Sequence, residues 1–141
     1  MTDKDIDYKA LIREAIAARE DSYSPYSNFM VGAALLAANG NVYRGCNIEN
    51  AAYSPSNCAE RTAFFSAVAA GERGFCAIAV AGWTRDGSPG YAYPCGVCRQ
   101  VMMEFCDPES FVVITAAGEN DYTAFALKEI LPNGFGPSDL A

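Results

Sequence analysis

Two apolar segments, each introduced by cysteine, constrain the fold of this chain more than any other feature. Residues 58–70 start with a C-A-E motif and are followed by Gly71, and residues 95–106 start with a C-G-V-C motif after a proline. Both segments are predicted to be buried helices, the first with a glycine stop. A helix N-terminus offers free N–H groups and the positive end of its dipole, so a thiolate is favoured there. Two such helices pointing at one spot would bring together three thiols, those of Cys58, Cys95 and Cys98.

The three thiols predict a zinc site. Three protein ligands with an open fourth position are the catalytic pattern, whereas structural zinc sites close with four ligands. The chain has no histidine, so thiolates and carboxylates must carry any transition-metal chemistry. Zinc lowers the pKa of a bound water toward ~7. Glu60 lies two residues from Cys58 and can sit beside that water without being a ligand, as a catalytic proton shuttle must.

Arg61 is predicted to support this site. A zinc ion with three thiolates has a net negative charge, which makes its bound water a poorer acid. Arg61 follows Cys58 by about one helical turn and can reach the ligand sulfurs, where it would offset part of that charge. We therefore expect a hydrogen bond from Arg61 to a ligand sulfur.

Each of these residues also has a plainer interpretation. A lone C-x-x-C motif occurs in redox and structural sites alike, and an isolated Cys58 would be an inert buried cysteine. Glu60 alone fits a helix capping box with Asn57. Taken together, C-A-E followed by P-C-x-x-C at about 35 residues is the signature of zinc deaminases, with cysteine in place of histidine. The remaining cysteines are predicted core residues, any of which could supply a fourth, structural ligand: Cys46, Cys76 and Cys106.

The rest of the chain predicts an α/β fold in a single domain, residues 1–141. An Asn-Gly step at 39–40 separates two strand-like runs and indicates a hairpin. A hairpin followed by alternating strands and helices implies a mixed sheet with helices packed on it. The nearly all-apolar helices at 58–70 and 95–106 are expected in the middle of the molecule or in a subunit interface. The predicted helices are 5–19 (capped by Thr2 and Asp5), 58–70, 95–106 and 127–131, and the predicted strands are 29–37, 42–46, 76–83, 111–116 and 122–125.

Charge and hydropathy restrict the partners. The net charge is −7 and the sequence pI is about 4.4, which argues against a polyanionic partner such as nucleic acid. The N-terminus has no basic region followed by an apolar run, so no secretory signal is predicted. No apolar run approaches the length of a membrane span. The expected location is the cytoplasm.

Four strings of residues carry a resemblance to a known family: 27–34, 45–53, 58–62 and 94–100. With them the chain resembles the small, homotetrameric, zinc-dependent cytidine deaminases almost from end to end. The resemblance implies a three-layer cytidine deaminase-like fold, in which a five-stranded mixed sheet has helices on both faces and both zinc helices on one of them. It also implies one zinc per chain and the hydrolytic deamination of cytidine and 2′-deoxycytidine in pyrimidine salvage.

The resemblance also implies roles for substrate-binding residues. Asn47 and Glu49 look like the pair that binds the ribose 3′-hydroxyl, which an amide and a carboxylate suit. Phe29 looks like the ring that packs on the pyrimidine, although without the family it would be taken for a core aromatic. The backbone N–H of Ala59 looks like the donor to the base carbonyl. Three further residues resemble those at or near a neighbouring subunit's site: Ala51, Tyr53 and Phe135.

Three competing functions stay open at this stage. One is a related deaminase that acts on another aminopyrimidine, such as blasticidin S, against which the sugar-binding string 47–50 argues. Another is a nucleic-acid editing enzyme, against which the acidic charge argues. A third is a non-catalytic zinc module, which would need a fourth ligand. The string Tyr91–Tyr93 is more aromatic than the family pattern and leaves the preference among pyrimidine nucleosides open.

Overall fold

The computed structural model describes residues 5–140, which form one five-stranded sheet with helices. None of the helices within these residues is long and apolar enough to cross a lipid bilayer. The predicted elements are all present, and most boundaries agree within two residues. The elements are α1 (Tyr8–Arg19), β1 (Phe29–Ala37), β2 (Val42–Cys46), α2 (Ala59–Ala69), β3 (Phe75–Thr84), α3 (Gly96–Phe105), β4 (Val112–Gly118), β5 (Asp121–Ala126) and α4 (Leu127–Ile130).

Helix α1 begins later than the sequence predicts. Its N-cap is Asp7, whose carboxylate accepts a hydrogen bond from the Ala10 N–H at 3.0 Å. Such a cap stabilises a helix by about 1 kcal/mol. The predicted cap with Asp5 and a start at residue 5 are therefore wrong, because Asp7 offers a side-chain oxygen at the position where the turn begins. Thr2, the other half of the predicted cap, lies outside the described residues.

The sheet has the strand order β2-β1-β3-β4-β5. β1 is antiparallel to both β2 and β3, β3 is parallel to β4, and β4 is antiparallel to β5. The parallel pair is connected through α3, as a crossover connection requires. This confirms the predicted mixed sheet, including the hairpin between β1 and β2.

Alternation along β1 supplies a core on each face of the sheet. Ala33 and Leu35 pack into one cluster of buried residues, which includes Phe64 of α2 and Met102 of α3. The residues between and after them, Ala34 and Leu36, pack into a second cluster with Leu11 and Ile12 of α1. Successive side chains of a strand point to opposite faces, so one short strand serves both cores. The result is the predicted three-layer arrangement, with α2 and α3 together on one face.

Helices α2 and α3, which follow Cys58 and Cys95, are less buried than their apolar composition predicts. On α2, Phe64 is fully buried, whereas the next residue, Phe65, is 49% exposed. On α3, only Cys98 and Met102 are buried, and Val97 is 58% exposed. Within one chain, α3 therefore lies at the surface and not in the middle of the molecule.

A close approach between β2 and α2 places the start of that helix. A Cβ atom on Gly45 would lie 2.3 Å from the Ala59 carbonyl oxygen and 2.5 Å from the Ala63 nitrogen. Since both are backbone atoms, no side-chain rotation could relieve the clash. The absence of a side chain at Gly45 lets the first turn of α2 rest directly on the strand, which fixes the position of Cys58 and Glu60.

Candidate metal centre

Three cysteines meet where α2 and α3 begin. Cys58 is the N-cap of α2, Cys95 is the N-cap of α3, and Cys98 lies in the first turn of α3. The Cys95 sulfur is 3.7 Å from that of Cys58 and 3.5 Å from that of Cys98, and all three lie within 4.8 Å of one another. Zn–S bonds of ~2.3 Å in a tetrahedral site place sulfurs ~3.8 Å apart. The spacing therefore fits a zinc ion.

The cluster has three members and one accessible side. Cys95 is exposed, Cys58 is half-buried and Cys98 is buried. Within residues 5–140, no fourth cysteine or carboxylate joins the group. The core prediction is confirmed for Cys106, which is buried; the two remaining cysteines, Cys46 and Cys76, are only half-buried, because each lies at an end of its strand. Three thiols with one open side match a catalytic zinc site better than a structural one.

Hydrogen bonds favour a thiolate at Cys58. A hydrogen bond from Cys98 and one from the Arg61 guanidinium lower the pKa of the Cys58 thiol to about 5. The pKa of Cys98 is raised in turn, by the hydrogen bond with Cys58 and by burial. Arg61 Nη2 lies 3.1 Å from the Cys58 sulfur, which is the contact that the sequence predicts. Metal ions bind cysteine as the thiolate, and the surroundings of Cys58 already favour that form.

Replacing Arg61 with Ala is expected to weaken zinc binding by about 10–100-fold or to slow the reaction by a similar factor, as second-layer substitutions at metal sites do. The physical reason is the loss of the donor to Cys58 and of a positive charge beside the thiolates. Zinc affinity is measured by competition with a chelator. Arg61→Lys keeps the charge and should lose less. Arg73→Ala removes an exposed arginine that binds the carbonyls of Val68 and Glu72, and is the control. Unchanged zinc affinity and turnover in Arg61→Ala would contradict the role.

Glu60 is buried beside the thiols. Its side chain is 4% exposed, and burial raises the pKa of its carboxyl to about 7, with the neighbouring Cys58 thiolate adding to the effect. The capping-box interpretation is wrong. Cys58, not Asn57, is the N-cap, so Glu60 is the second residue of the helix and not the third, and the Asn57 N–H donates to the Ile48 carbonyl at 2.9 Å. Among the described residues, the Glu60 carboxylate accepts a hydrogen bond only from its own backbone N–H in this first turn, which does not explain why a carboxylate is buried here.

A cavity of about 340 Å³ opens in front of the thiols. Its walls come from the start of β1, the segment after β2, the start of α2 and the segment before α3. It brings together most of the residues that the sequence singles out. The predicted site residues that line it are Phe29, Asn47, Glu49, Cys58, Ala59, Glu60, Arg61 and Cys95.

Asn47 and Glu49 are held in place by the backbone around them. The Asn47 amide donates to the Phe29 carbonyl at 2.7 Å and accepts from the Val31 N–H at 2.9 Å. Glu49 accepts from the N–H groups of Tyr26 and Ser27 and from the Ser27 hydroxyl, whose hydrogen bond is the main reason that its pKa is lowered. Both side chains therefore present fixed polar groups to the cavity, and that of Glu49 is a carboxylate.

Four of the predicted residues do not line this cavity within one chain: the buried ligand Cys98, and the three residues predicted to lie at or near a neighbouring subunit's site. Tyr53 is 72% exposed and Phe135 is 57% exposed, and Ala51 is also at the surface. The Phe135 carbonyl accepts a hydrogen bond from Gln100 of α3 at 2.7 Å, which ties the C-terminal segment to that helix. The roles of Ala51, Tyr53 and Phe135 toward a neighbouring subunit stay predictions.

Other residues of the cavity wall were not among the predicted catalytic, metal-binding or substrate-binding residues, although Asn57 and the string Tyr91–Tyr93 were noted for other reasons. Val31 could have been found from the alternation of β1, which places it on the same face as Ala33. Tyr93 precedes the P-C-G-V-C motif, and its place beside a cysteine ligand was a usable signal. No local pattern predicts a place in the cavity wall for the rest, which come together only through the fold: Ser56, Asn57, Val80 and Ala92.

A mixed three-layer fold with three thiols at two helix starts, a buried glutamate beside them and a cavity in front defines a zinc-dependent deaminase of nucleobases. The comparisons with known proteins lead to the same class. Residues 5–115 match the family described as the cytidine and deoxycytidylate deaminase zinc-binding region.

Relatives and solved structures narrow the class further. The chain is 49% identical over 136 residues to a cytidine deaminase of Sporosarcina psychrophila, with 96% of each chain covered. The crystal structure of a cytidine deaminase from Burkholderia pseudomallei is similar with a TM-score of 0.83 and 49% identity, over 92% of this chain and 100% of that one. The crystal structure of a cytidine deaminase from Mycobacterium tuberculosis is similar with a TM-score of 0.78 and 34% sequence identity, over 94% of this chain and 99% of that one. The chain belongs to the cytidine deaminase family of zinc-binding enzymes.

Proposed function

We propose that this enzyme hydrolyses the amino group of cytidine and 2′-deoxycytidine, releasing ammonia and forming uridine and 2′-deoxyuridine. The observation that carries the proposal is the buried Glu60 beside three thiols, in a cavity that also presents Asn47 and Glu49. The relative from Sporosarcina psychrophila is named a cytidine deaminase, which supports the same substrate. The string at 47–50 favours a nucleoside over a sugar-free aminopyrimidine.

The metal would be held by Cys58, Cys95 and Cys98. When bound, zinc supplies a Lewis acid that makes water a nucleophile near neutral pH. Glu60 accepts the proton of the attacking water and delivers it to N3 of the base while the oxygen bonds to C4. It then takes the remaining proton of that oxygen and passes it to the amino group, so that C4 becomes a carbonyl, the C4–N bond breaks and ammonia leaves. One carboxylate can perform each transfer in turn because it lies beside the reacting carbon throughout. Its burial keeps these protons from exchanging with bulk water.

The substrate would be positioned by groups that already have a fixed orientation. Phe29 packs on the pyrimidine ring, and Asn47 and Glu49 bind the sugar hydroxyl. The Ala59 N–H belongs to the first turn of α2, whose N–H groups have no partner within the helix, so it is suited to receive the base carbonyl. Fixed donors and acceptors reduce the entropy lost on binding and place C4 of the base near the thiols.

Charge favours a nucleoside over a nucleotide. The chain carries a net charge of −7, and hydrogen bonds lower the pKa of Glu49, which keeps this carboxylate ionised in the cavity wall. A 5′-phosphate would approach a carboxylate and an acidic surface. We expect cytidine and 2′-deoxycytidine to be accepted and their 5′-monophosphates to be rejected.

The assembly and cellular role belong to the same proposal. A homotetramer with sites shared between subunits would cover the exposed Phe65 and Val97 and bring Phe135 to a neighbouring site. Six free cysteines suit a reducing cytoplasm. The α-helices α1, α2, α3 and α4 contribute to the two cores on the faces of one sheet, which supports a single domain over residues 1–141. Nucleoside deamination of this kind would serve pyrimidine salvage.

The proposed activity is tested by following the loss of the cytidine absorbance band with purified enzyme, and by assaying zinc on the same sample. We expect conversion of cytidine and 2′-deoxycytidine to the uridine products with about one zinc per chain. Cytidine 5′-monophosphate should be turned over far more slowly. A zinc-loaded enzyme that leaves both nucleosides unchanged would refute the proposal, and conversion of another aminopyrimidine would then identify the substrate.

A further inference from the structure

The segment Tyr91–Tyr93 forms a wall of the cavity to which no role has been assigned. Both Ala92 and Tyr93 line the cavity. The Tyr93 side chain is 54% exposed, so its ring lies at the cavity mouth and not in the protein core.

The Tyr93 ring is held by aromatic neighbours on two sides. Its centroid lies 6.4 Å from that of Tyr91 and 6.3 Å from that of Phe125 in β5. Tyr91 is fixed in turn, because its hydroxyl donates to Asp121 at the start of β5. Such ring contacts favour a defined orientation. Tyr93 can therefore act as a fixed boundary of the cavity.

Gly82 lets this wall approach the predicted base-binding ring. A Cβ atom at Gly82 would lie 2.9 Å from the Cβ of Ala92, 3.0 Å from Val31 and 3.2 Å from the Phe29 ring. Because β3 has no side chain there, the segment before α3 and the Phe29 ring meet over the same point of the sheet. Phe29 and the Tyr91–Tyr93 segment thus bound one apolar slot.

The strand order gives the slot a direction. Asn47 and Glu49 follow β2 at one edge of the sheet, whereas Tyr93 contacts β5 at the opposite edge. Pro94 alone separates Tyr93 from Cys95. A nucleoside with its sugar at Asn47 and Glu49 would direct the far edge of its base, C4 and its neighbours, toward the thiols and Tyr93. In the proposed mechanism Glu60 exchanges protons with N3, which is bonded to C4 on one side. C5 is bonded to C4 on the other side, so C5 is the ring atom that would face Tyr93.

Building on the proposed function, we propose that Tyr93 is a specificity-determining residue that limits the size of the substituent at C5 of the pyrimidine. Its ring closes this edge of the slot, while its hydroxyl is not required. Cytidine, with hydrogen at C5, fits the slot, and a cytidine that carries a methyl group or a larger group at C5 meets the ring.

The test compares kcat/KM for cytidine and for 5-methylcytidine in the zinc-loaded wild-type enzyme and in Tyr93→Ala. A single methyl group in a fitted pocket changes specificity by about 10–200-fold. We expect the ratio of 5-methylcytidine to cytidine to rise about tenfold or more in Tyr93→Ala. Tyr93→Phe should keep the wild-type ratio because it keeps the ring. Tyr122→Ala, which removes a tyrosine of β5 that packs on Tyr8, is the matched control and should also keep it.

A ratio that stays within twofold of wild type in Tyr93→Ala overturns the proposal, provided that cytidine is still deaminated. Should that variant not fold, Tyr93→Trp decides: a larger ring must lower the ratio, and an unchanged ratio overturns the proposal equally. A wild-type enzyme that deaminates neither substrate overturns the proposed function, and this proposal with it. If the wild-type enzyme deaminates cytidine but the ratio of 5-methylcytidine to cytidine is unchanged in Tyr93→Ala or Tyr93→Trp, the Tyr93 proposal alone is overturned.

Discussion

Replacing Glu60 with Gln is expected to abolish most turnover while leaving the fold and the zinc in place. The amide has nearly the same shape as the carboxylate but can neither accept the proton of the attacking water nor pass it to the base. Positioned acid–base groups contribute about 10²–10⁴-fold, and one residue that performs several transfers should lie at the upper end or beyond. Since Glu60 is 4% exposed, the neutral amide also avoids the cost of burying a charge. The thermal stability should therefore not fall.

The measurement is kcat for cytidine together with zinc content and melting temperature for the same preparation. Glu104→Gln is the matched control, because it makes the same change on α3 at an exposed position. It should retain wild-type kcat. The role of Glu60 is contradicted by a Glu60→Gln variant whose kcat is within a few-fold of wild type. Loss of zinc together with activity would instead indicate that Glu60 is needed to assemble the site.

The thiol cluster could be predicted from sequence because its information is local. The spacing of Cys95 and Cys98 places both thiols at one helix start, and the C-A-E motif does the same for Cys58 and Glu60. The alternation of β1 likewise reveals two buried faces. These signals need only the period of a helix or a strand.

The rest of the site depends on distances that no local pattern contains. Gly45 and Gly82 look like ordinary strand glycines in the sequence, yet each allows a backbone or ring approach that a Cβ atom would block. Val80 reaches the cavity only because β3 lies next to β1 in the sheet. The start of α1 was misplaced for a different reason. Asp5 and Asp7 both have side chains that can cap a helix, so the pattern alone does not distinguish them, and in the structure it is Asp7 that accepts the Ala10 N–H.

Cys95→Ser is expected to reduce zinc from about one ion per chain to a small fraction and to remove activity with it. A serine hydroxyl stays protonated near neutral pH and is a poor zinc ligand, so only two thiolates remain. Cys95 is the informative choice of the three because it is exposed, whereas Cys98, in the first turn of α3, is buried and Cys58 is half-buried. Substituting an exposed thiol leaves the apolar packing intact. A loss of zinc can then be assigned to the missing ligand and not to unfolding.

The control is Cys76→Ser, which changes a half-buried cysteine at the opposite end of β3 from the cavity. It should keep its zinc and its kcat. Zinc is measured by atomic absorption after gel filtration, and the fold by circular dichroism before and after metal removal with a chelator. A Cys95→Ser enzyme that retains stoichiometric zinc would show that another group completes the site, and the three-thiol assignment would be withdrawn. If both variants lose zinc equally, metal retention depends on the fold as a whole and not on the thiol at Cys95.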